Sequence, residues 1–357
     1  MIFQNTNDDF IKGRGAQFNP KNRFLNGSYV QEHVESIDDW EAEERKTTYI
    51  YDESKTIVNE VKSPDVGMLY SLNPYQGCEH GCIYCYARNS HEYWGYSAGL
   101  DFESKIVVKH NAPALLRKFF ESKKWIPAPI SLSGNTDCYQ PIERKMKLTR
   151  QLLEICLEYK NPVGLITKNA LILRDTDLLQ ELAAQNLVCV YTSITSVDEH
   201  LRMMLEPRTT TYKTRLNIVE TLSRKGIPTG IMNAPIIPGL NDAHVHDVLQ
   251  AAANAGAKWA GYTIVRLNGA LSDIFKDWLY KAFPDRAEKV WHQIQDCHGG
   301  QVNDSRFGTR MSGEGNFAAI IKQQFKLYCR KFKLNESKFE YNTSAFRRNN
   351  GGQLELF

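Results

Sequence analysis

The chain has 357 residues, with 44 Lys and Arg against 41 Asp and Glu, a formal net charge of +3 and 42% hydrophobic residues. This is the balance of an ordinary globular chain with a large core, and it excludes disordered, collagenous and supercharged classes. No apolar run approaches the roughly 18 residues of a membrane span, and the amino terminus, with Asp8 and Asp9 close behind Asn5 and Asn7, lacks a signal-peptide core. A soluble, cytoplasmic protein is expected. Charge is nonetheless unevenly placed: residues 32–44 hold seven carboxylates and no Lys or Arg, whereas residues 322–348 carry eight Lys and Arg against Glu336 and Glu340, a local charge of +6.

In chain order, residues 1–65 read as an extended, polar extension broken by Gly13, Gly15, Pro20 and Gly27, closing on a short strand-like TIVNEV at 56–61 and wrapping the core that follows. From Met68 to Leu267 short runs rich in Val, Ile and Thr alternate with segments of helical period. Strands are expected at 68–73, 130–134, 163–167, 188–194, 228–237 and 262–267, and helices at about 112–123, 144–159, 175–185, 211–225 and 242–255. Asp175 is placed to cap a helix that buries Leu178, Leu179 and Leu182, and Gly226 with Pro228 ends the helix carrying Leu216, Val219 and Leu222. Six strands alternating with helices make parallel βαβ units, which fit either a doubly wound sheet or an open (βα)6 barrel. A helical, basic region spans 271–348, and 349–357 read as a flexible tail.

Three of the eight cysteines fall within eight positions, in NPYQGCEHGCIYCYAR, where Cys78, Cys82 and Cys85 form C-x3-C-x2-C directly after the first strand of the series. Thiolates are soft ligands, and three on one loop reach three corners of an iron–sulfur cube, leaving the fourth iron open. Gly77 and Gly81 stand where the backbone must bend sharply near the cluster. The competing reading is a zinc site completed by His80 or a distant cysteine. Zinc sites generally pair one C-x2-C with a second pair, and the remaining cysteines here come singly.

This spacing on the loop after the first strand of a (βα)6 chain resembles the radical S-adenosylmethionine (SAM) superfamily. The resemblance implies a partial TIM-type barrel with its site at the carboxyl ends of the strands, a [4Fe–4S] cluster whose open iron is chelated by SAM, and an electron donor to reduce it. It also implies cleavage of SAM to a 5′-deoxyadenosyl radical. NPYQGCEHGCIYCYAR and SGNTDCYQPIE are similar, more narrowly, to the spore photoproduct lyase-like branch, over about residues 66–267. On that similarity Lys168, in LITKN, corresponds to a lysine that pairs with the SAM carboxylate, and Ser193, in TSITS, to its partner hydroxyl. Tyr84 and Tyr86 correspond to two tyrosines proposed to relay a hydrogen atom. Gly134 and Asn135 take the place of the segment that meets the SAM amino group, with Asp137 assisting there or capping the turn before Pro141. The lyase has a hydrogen-donating cysteine where this chain has Gly134, and Cys138 lies four residues on as a substitute. Glu206 and Arg208, in EPRTTTYKTR, are expected either to line the SAM or substrate pocket or to form a surface pair. His91, Glu92 and Trp94 are expected either above the cluster or buried against the extension.

The physical reasons for the strand-end residues are independent of the family. A Lys ending a barrel strand points into the site and neutralises a carboxylate, and a hydroxyl there bonds a ribose or carboxylate oxygen. At the carboxyl end of the chain, Phe325, Tyr328, Phe332, Phe339, Tyr341 and Phe346 interleave with the basic residues, a composition that serves DNA or RNA binding, although the helical spacing of the first three equally fits packing on the barrel. Gln353 to Phe357, QLELF behind Asn-Asn-Gly-Gly, resembles the peptide by which bacterial repair proteins dock on the sliding clamp. The chain is thus expected to be a radical SAM enzyme acting on nucleic acid. The alternatives are radical modification of RNA or protein, or a clamp-tethered binding protein with a structural or redox-sensing cluster.

Overall fold

In the computed structural model, which describes residues 10–25 and 46–348, two short strands, β1 (Thr48–Tyr51) and β2 (Val58–Glu60), precede the cysteine loop. β3 (Tyr70–Leu72) leads into it, and β4 (Tyr75–Gln76) and β5 (Lys105–Val108) flank it. β6 (Ile130–Leu132), β7 (Val163–Thr167), β8 (Val188–Ser193), β9 (Thr229–Ile236) and β10 (Trp259–Ile264) follow. In the main sheet β3, β6, β7, β8, β9 and β10 are parallel and adjacent in that order, with β2 antiparallel on the outer edge of β3. A doubly wound sheet reverses its strand order at a switch point. Here the order never reverses, so successive crossovers carry the sheet round into a partial (βα)6 barrel.

Helices clothe the outside. α1 (Leu100–Ser104) closes the cysteine loop before β5, and α2 (Ala112–Glu121) links β5 to β6. The single helix expected at 144–159 is two, α3 (Glu143–Met146) and α4 (Leu148–Glu158), because Lys147 sits in the left-handed region at φ 51°. α5 (Thr176–Ala183) follows a 3₁₀ segment, Ala170–Asp175. α6 (Glu199–Leu205), not expected from periodicity, precedes α7 (Tyr212–Arg224) and α8 (Val245–Asn254). Asp175 does not cap α5 through its side chain. Its carboxylate is fully buried and takes hydrogen bonds from Tyr139, Arg150 and Arg174 instead. The strand period of two decides which side chains meet the helices: Val163 and Leu165 of β7 pack in one core with Leu152, Leu153, Leu179 and Leu182, each worth roughly 1.5–3 kcal/mol of burial. Ile166, the next residue after Leu165 and so on the opposite face, lines the barrel interior.

Past β10, α9 (Leu271–Ala282) and α10 (Ala287–Asp296) build a second core, around Trp278, behind Cys82, Ile83 and Tyr84. Residues Phe10, Ile11, Ala16 and Phe18 of the extension join this core. β1 pairs with β5, which also pairs with β4, so the extension is stitched to the cysteine loop by a small three-stranded sheet. The boundary expected at residue 65 falls inside the β2–β3 hairpin.

α11 (Gly315–Lys331) packs on α8 with Phe325 against Tyr262 and with Tyr328 against His246. The segment after it crosses the amino ends of the strands: Ser337 accepts from the indole of Trp259, Asn342 donates to Asn186, and Arg347 donates to Tyr159. Phe339 and Phe346 lie against Trp259 and Phe120. The aromatic side chains of the basic region therefore face the barrel, and Lys322, Lys326, Arg330, Lys331, Lys333, Lys338 and Arg347 stay exposed. The QLELF tail and the acidic stretch at 32–44 lie outside the described residues. Among the described residues no helix is long and apolar enough to cross a membrane.

Candidate active site

The loop between β4 and α1 is fixed from beneath by one buried ion pair. Arg88, the last residue of NPYQGCEHGCIYCYAR, donates to the carbonyls of Gly81, Cys82 and Gly99 and to Glu103 Oε1 at 2.5 Å, and both side chains are fully buried. Glu103 also accepts from the amides of Gly15 and Ala16 at 3.2 and 2.8 Å, so one carboxylate ties the extension to the cysteine loop. Gly77 and Gly81 take φ of 78° and 66°, and a Cβ at either would approach Lys105 O or Glu103 Oε2 to 2.8 Å. That combination of left-handed backbone and close approach admits only glycine.

Cys78, Cys82 and Cys85 all line one cavity of about 440 Å³ at the carboxyl ends of the strands, with Ser133, Gly134, Asn135, Lys168, Ser193, Met232 and Arg266 among its other walls. Burial pushes the Cys78 thiol up, reinforced by Asp137, and burial raises Cys82 to about 12 and Cys85 above its usual value. A positively charged group is therefore required to hold them as thiolates. The backbone amide of His80 reaches the Cys78 sulfur, and those of Ala87 and Arg88 reach Cys85, the kind of contact that steadies cluster thiolates.

His80 does not complete a zinc site. Its Nδ1 is 3.4 Å from Asp137 Oδ2 and its Nε2 is 3.2 Å from the side-chain amide nitrogen of Asn169, and burial pushes the pKa of the ring down. Among the described residues no three His, Cys, Asp or Glu side chains converge on a single ion. Cys138, Cys156, Cys189, Cys297 and Cys329 are buried and none lines the cavity. Three thiols facing one cavity, without a fourth protein ligand among the described residues, fit a cluster with one open iron.

Lys168 follows the end of β7, with its backbone amide on Asp137 Oδ2 at 2.9 Å and its carbonyl accepting from Thr210 at 2.6 Å. Its ammonium makes no hydrogen bond or ion pair to a described residue and lies 5.9 Å from the centre of the Tyr84 ring. Burial opposes its charge, but Cys82 and Glu206 more than offset this, and its pKa is raised. Ser193 lines the cavity at the end of β8.

Asp137 lines the cavity and caps the turn after β6, and its carboxylate is fully engaged in doing so. It takes hydrogen bonds from Tyr139 N, Thr167 Oγ1 and Lys168 N, clamping the β6 turn to the end of β7. Asn135 is similarly engaged, with Asn73, Gln76 and Ser90. Ser133 turns the chain at φ 73°, a strained conformation for a non-glycine, and accepts from Cys138 N. This turn carries Cys138 away: its side chain is fully buried in the apolar core with Leu152 and Leu165 and is absent from the cavity wall, correcting the expectation of a donor thiol there.

The two tyrosines are not equivalent. Tyr84 donates to Glu206 Oε1, and Glu206, fully buried, also binds Thr195 and Arg215. Burial would raise this carboxyl, but Arg215, Lys168 and the Tyr84 hydroxyl hold it down to about 2. Tyr86 stays half-exposed on the cavity wall, its hydroxyl on Gly134 O at 2.5 Å. Glu206 and Arg208 are neither cavity residues nor a mutual surface pair, since Arg208 donates to Gly13 O. Glu92 is buried against the extension, where Arg23 meets it at 3.1 Å, and His91 is buried beside Tyr96 and Phe102. Trp94 does not line the cavity either. Sequence reasoning overlooked Arg266, although it follows β10 as Lys168 follows β7 and the same strand-end rule finds it.

The radical SAM superfamily model matches residues 72–252. An uncharacterised protein of Mycobacterium tuberculosis (strain H37Rv) is 34% identical over 218 residues, 60% of this chain and 64% of that protein, so the match spans less than two thirds of its length. An uncharacterised protein of Methanocaldococcus jannaschii is 30% identical over 238 residues, covering 66% of this chain and 84% of that protein. Among solved structures, spore photoproduct lyase complexed with dinucleoside spore photoproduct shares the fold at a TM-score of 0.56 and 15% identity, over 81% of this chain and 80% of that one. A mutant of that lyase with bound AdoMet and the same dinucleoside superposes at 0.55 and 15% identity, over 81% and 80%. The superfamily uses a [4Fe–4S] cluster and SAM, the groups that the three thiols and the open cation of Lys168 fit. With half the sequence matched and the partial barrel in place, the chain belongs to the radical SAM superfamily.

Proposed function

We propose that this chain is a radical SAM enzyme that acts on a nucleic-acid substrate in the manner of a lesion-repair lyase. The observation that carries the radical SAM part of the reading is the convergence of three thiols and an unpaired ammonium on one cavity at the carboxyl ends of the strands, and the nucleic-acid part is supported by the fold shared with spore photoproduct lyase. Cys78, Cys82 and Cys85 would hold the cluster, which when reduced splits the sulfonium of SAM and supplies a carbon-centred radical. Lys168 pairs with the SAM carboxylate, a charge-assisted contact strengthened by partial burial. Ser193 offers a hydroxyl to a ribose or carboxylate oxygen, and the Gly134–Asn135 backbone faces the amino group. Asp137 positions Lys168 through its main-chain amide.

Two features separate this site from a plain copy of the lyase. With Gly134 at the end of β6 and Cys138 turned into the core, no cysteine stands on that wall to return a hydrogen atom. Tyr86 is the residue with a hydroxyl on the cavity wall suited to that transfer, whereas Tyr84 is committed to Glu206. The exposed lysines of the basic region lie on α11 and across the amino ends of the strands, away from the cavity, so in this reading they serve general attraction to phosphates rather than positioning.

The test is anaerobic reconstitution, reduction, and measurement of 5′-deoxyadenosine with isotope exchange from labelled DNA and RNA oligonucleotides. Exchange from a nucleic acid is the expected result. Absence of 5′-deoxyadenosine in a fully loaded protein would leave a structural or redox-sensing cluster as the better account. Exchange from peptides alone would move the substrate to protein.

A further inference from the structure

Arg266 lies two residues past the end of β10 and lines the cavity together with Thr263, Val265 and Met311. Among the described residues nothing hydrogen-bonds or ion-pairs with its guanidinium. Burial and the nearby Arg310 both disfavour its charge, and the carboxylates in range, Asp65 and Asp304, are already engaged. Asp65 takes Arg310 Nε on one oxygen and the Gly308 amide, at 2.7 Å, on the other. Asp304 takes Arg306 at 2.9 Å and Thr309 at 2.8 Å. Arg310 is thereby neutralised and tied to the loop of the β2–β3 hairpin, which bridges the open side of the barrel, while Arg266 remains a cation without a counter-charge. Such a group is costly in a partly buried wall unless an anion arrives with the ligand.

SAM carries one carboxylate, and Lys168 on β7 already answers it. A second free cation on another strand calls for a second anion, and a guanidinium is shaped for two-point contact with an oxyanion. The wall beside it is apolar, formed by Val61, Val66, Met68 and Met311. On the reading above, that the substrate is a nucleic acid, we propose that Arg266 receives a phosphodiester of the substrate at the cavity mouth, with this apolar wall packing against the attached nucleoside.

The test uses the reconstituted holoenzyme with bound SAM and two short single-stranded thymidine oligonucleotides, one with phosphodiester and one with uncharged methylphosphonate linkages. Binding is read by anisotropy of a terminal dye. The wild type is expected to prefer the charged oligonucleotide by about tenfold or more. Arg266→Gln should lose most of the preference, leaving only the weak general attraction of the basic region, and Arg266→Lys retain more of it, while Lys118→Gln, a charge loss on the exposed face of α2, should leave it intact. Equal binding of the two oligonucleotides by the wild type, or a preference undiminished in Arg266→Gln, would overturn the role of Arg266 without touching the nucleic-acid reading. A fall in SAM affinity in Arg266→Gln would overturn it as well, because the guanidinium would then serve the cosubstrate. A wild type that binds neither oligonucleotide but prefers an acidic peptide over its amide would remove the nucleic-acid reading, and with it the phosphodiester.

Discussion

Replacing Lys168 with alanine isolates the electrostatic contribution of the site, because the residue's backbone is held independently of its side chain. Its amide stays on Asp137 and its carbonyl on Thr210, so the end of β7 should not move. What is lost is the one lysine that lines the cavity among the described residues, whose charge is sustained by Cys82 and Glu206 against the cost of burial. Glu206 keeps Arg215 and is not left as an unpaired carboxylate. A charge-assisted contact to a carboxylate contributes about 1.5–3 kcal/mol, which corresponds to a rise in the dissociation constant for SAM of roughly 10- to 100-fold. The assay is anaerobic equilibrium binding of SAM to reconstituted Lys168→Ala, with iron and sulfide measured on the same sample. Normal iron content with unchanged SAM affinity would refute the assignment and place the ammonium toward solvent. Loss of iron would instead make Lys168 part of the scaffold of the loop.

Cys78→Ala, Cys82→Ala and Cys85→Ala are each expected to abolish the charge-transfer absorption of the reconstituted cluster, whereas Cys156→Ala, in the α4 core, should keep it; absorption surviving in a loop variant would refute the ligand set. Arg88→Met leaves Glu103 buried without its cation and should cost about 3–5 kcal/mol in denaturant unfolding of the apoprotein, and a change under ~1 kcal/mol would mean that the Gly15 and Ala16 amides suffice to hold Glu103. His91 is pushed down to about 4 by burial, with Lys105 and Arg88 adding to it and Asp101 opposing. The unfolded chain binds that proton near the ordinary value of 6.5, so below this pH the unfolded state holds more protons and stability falls as pH drops from about 6.5 toward about 4. Wild type should therefore lose about 2–3 kcal/mol more than His91→Phe between neutral pH and pH ~4.5, and parallel pH profiles would show that the ring protonates freely in the folded protein.

The cysteine loop and the βαβ repeat were legible in the sequence because both are written locally. Cys78, Cys82 and Cys85 share a loop of eight positions, and no folding is needed to know that their thiols are neighbours. The alternation of short β-branched runs with helical periods names the βαβ repeat. Lys168 and Ser193 came from the family resemblance, and the strand-end rule supplied the physical reason, since a residue at a strand's carboxyl end approaches the site of such a barrel. Choosing between barrel and doubly wound sheet was beyond periodicity alone, since both have the same local pattern and differ only in which strand lies beside which.

What the tertiary structure alone decided are pairings between residues far apart in the chain and the directions of single side chains. Arg88 with Glu103 under the loop, Tyr84 with Glu206 and Arg215, and Asp65 with Arg310 across the open side of the barrel join segments with no common local pattern. Cys138 shows the second limit. It lies four residues past Gly134, close enough in sequence to substitute for a donor, yet the left-handed turn at Ser133 and the clamp of Asp137 on β7 send its thiol into the core. Spacing places a residue near a site, but a single backbone dihedral selects the face it presents, and that dihedral is set by hydrogen bonds whose partners come from another strand.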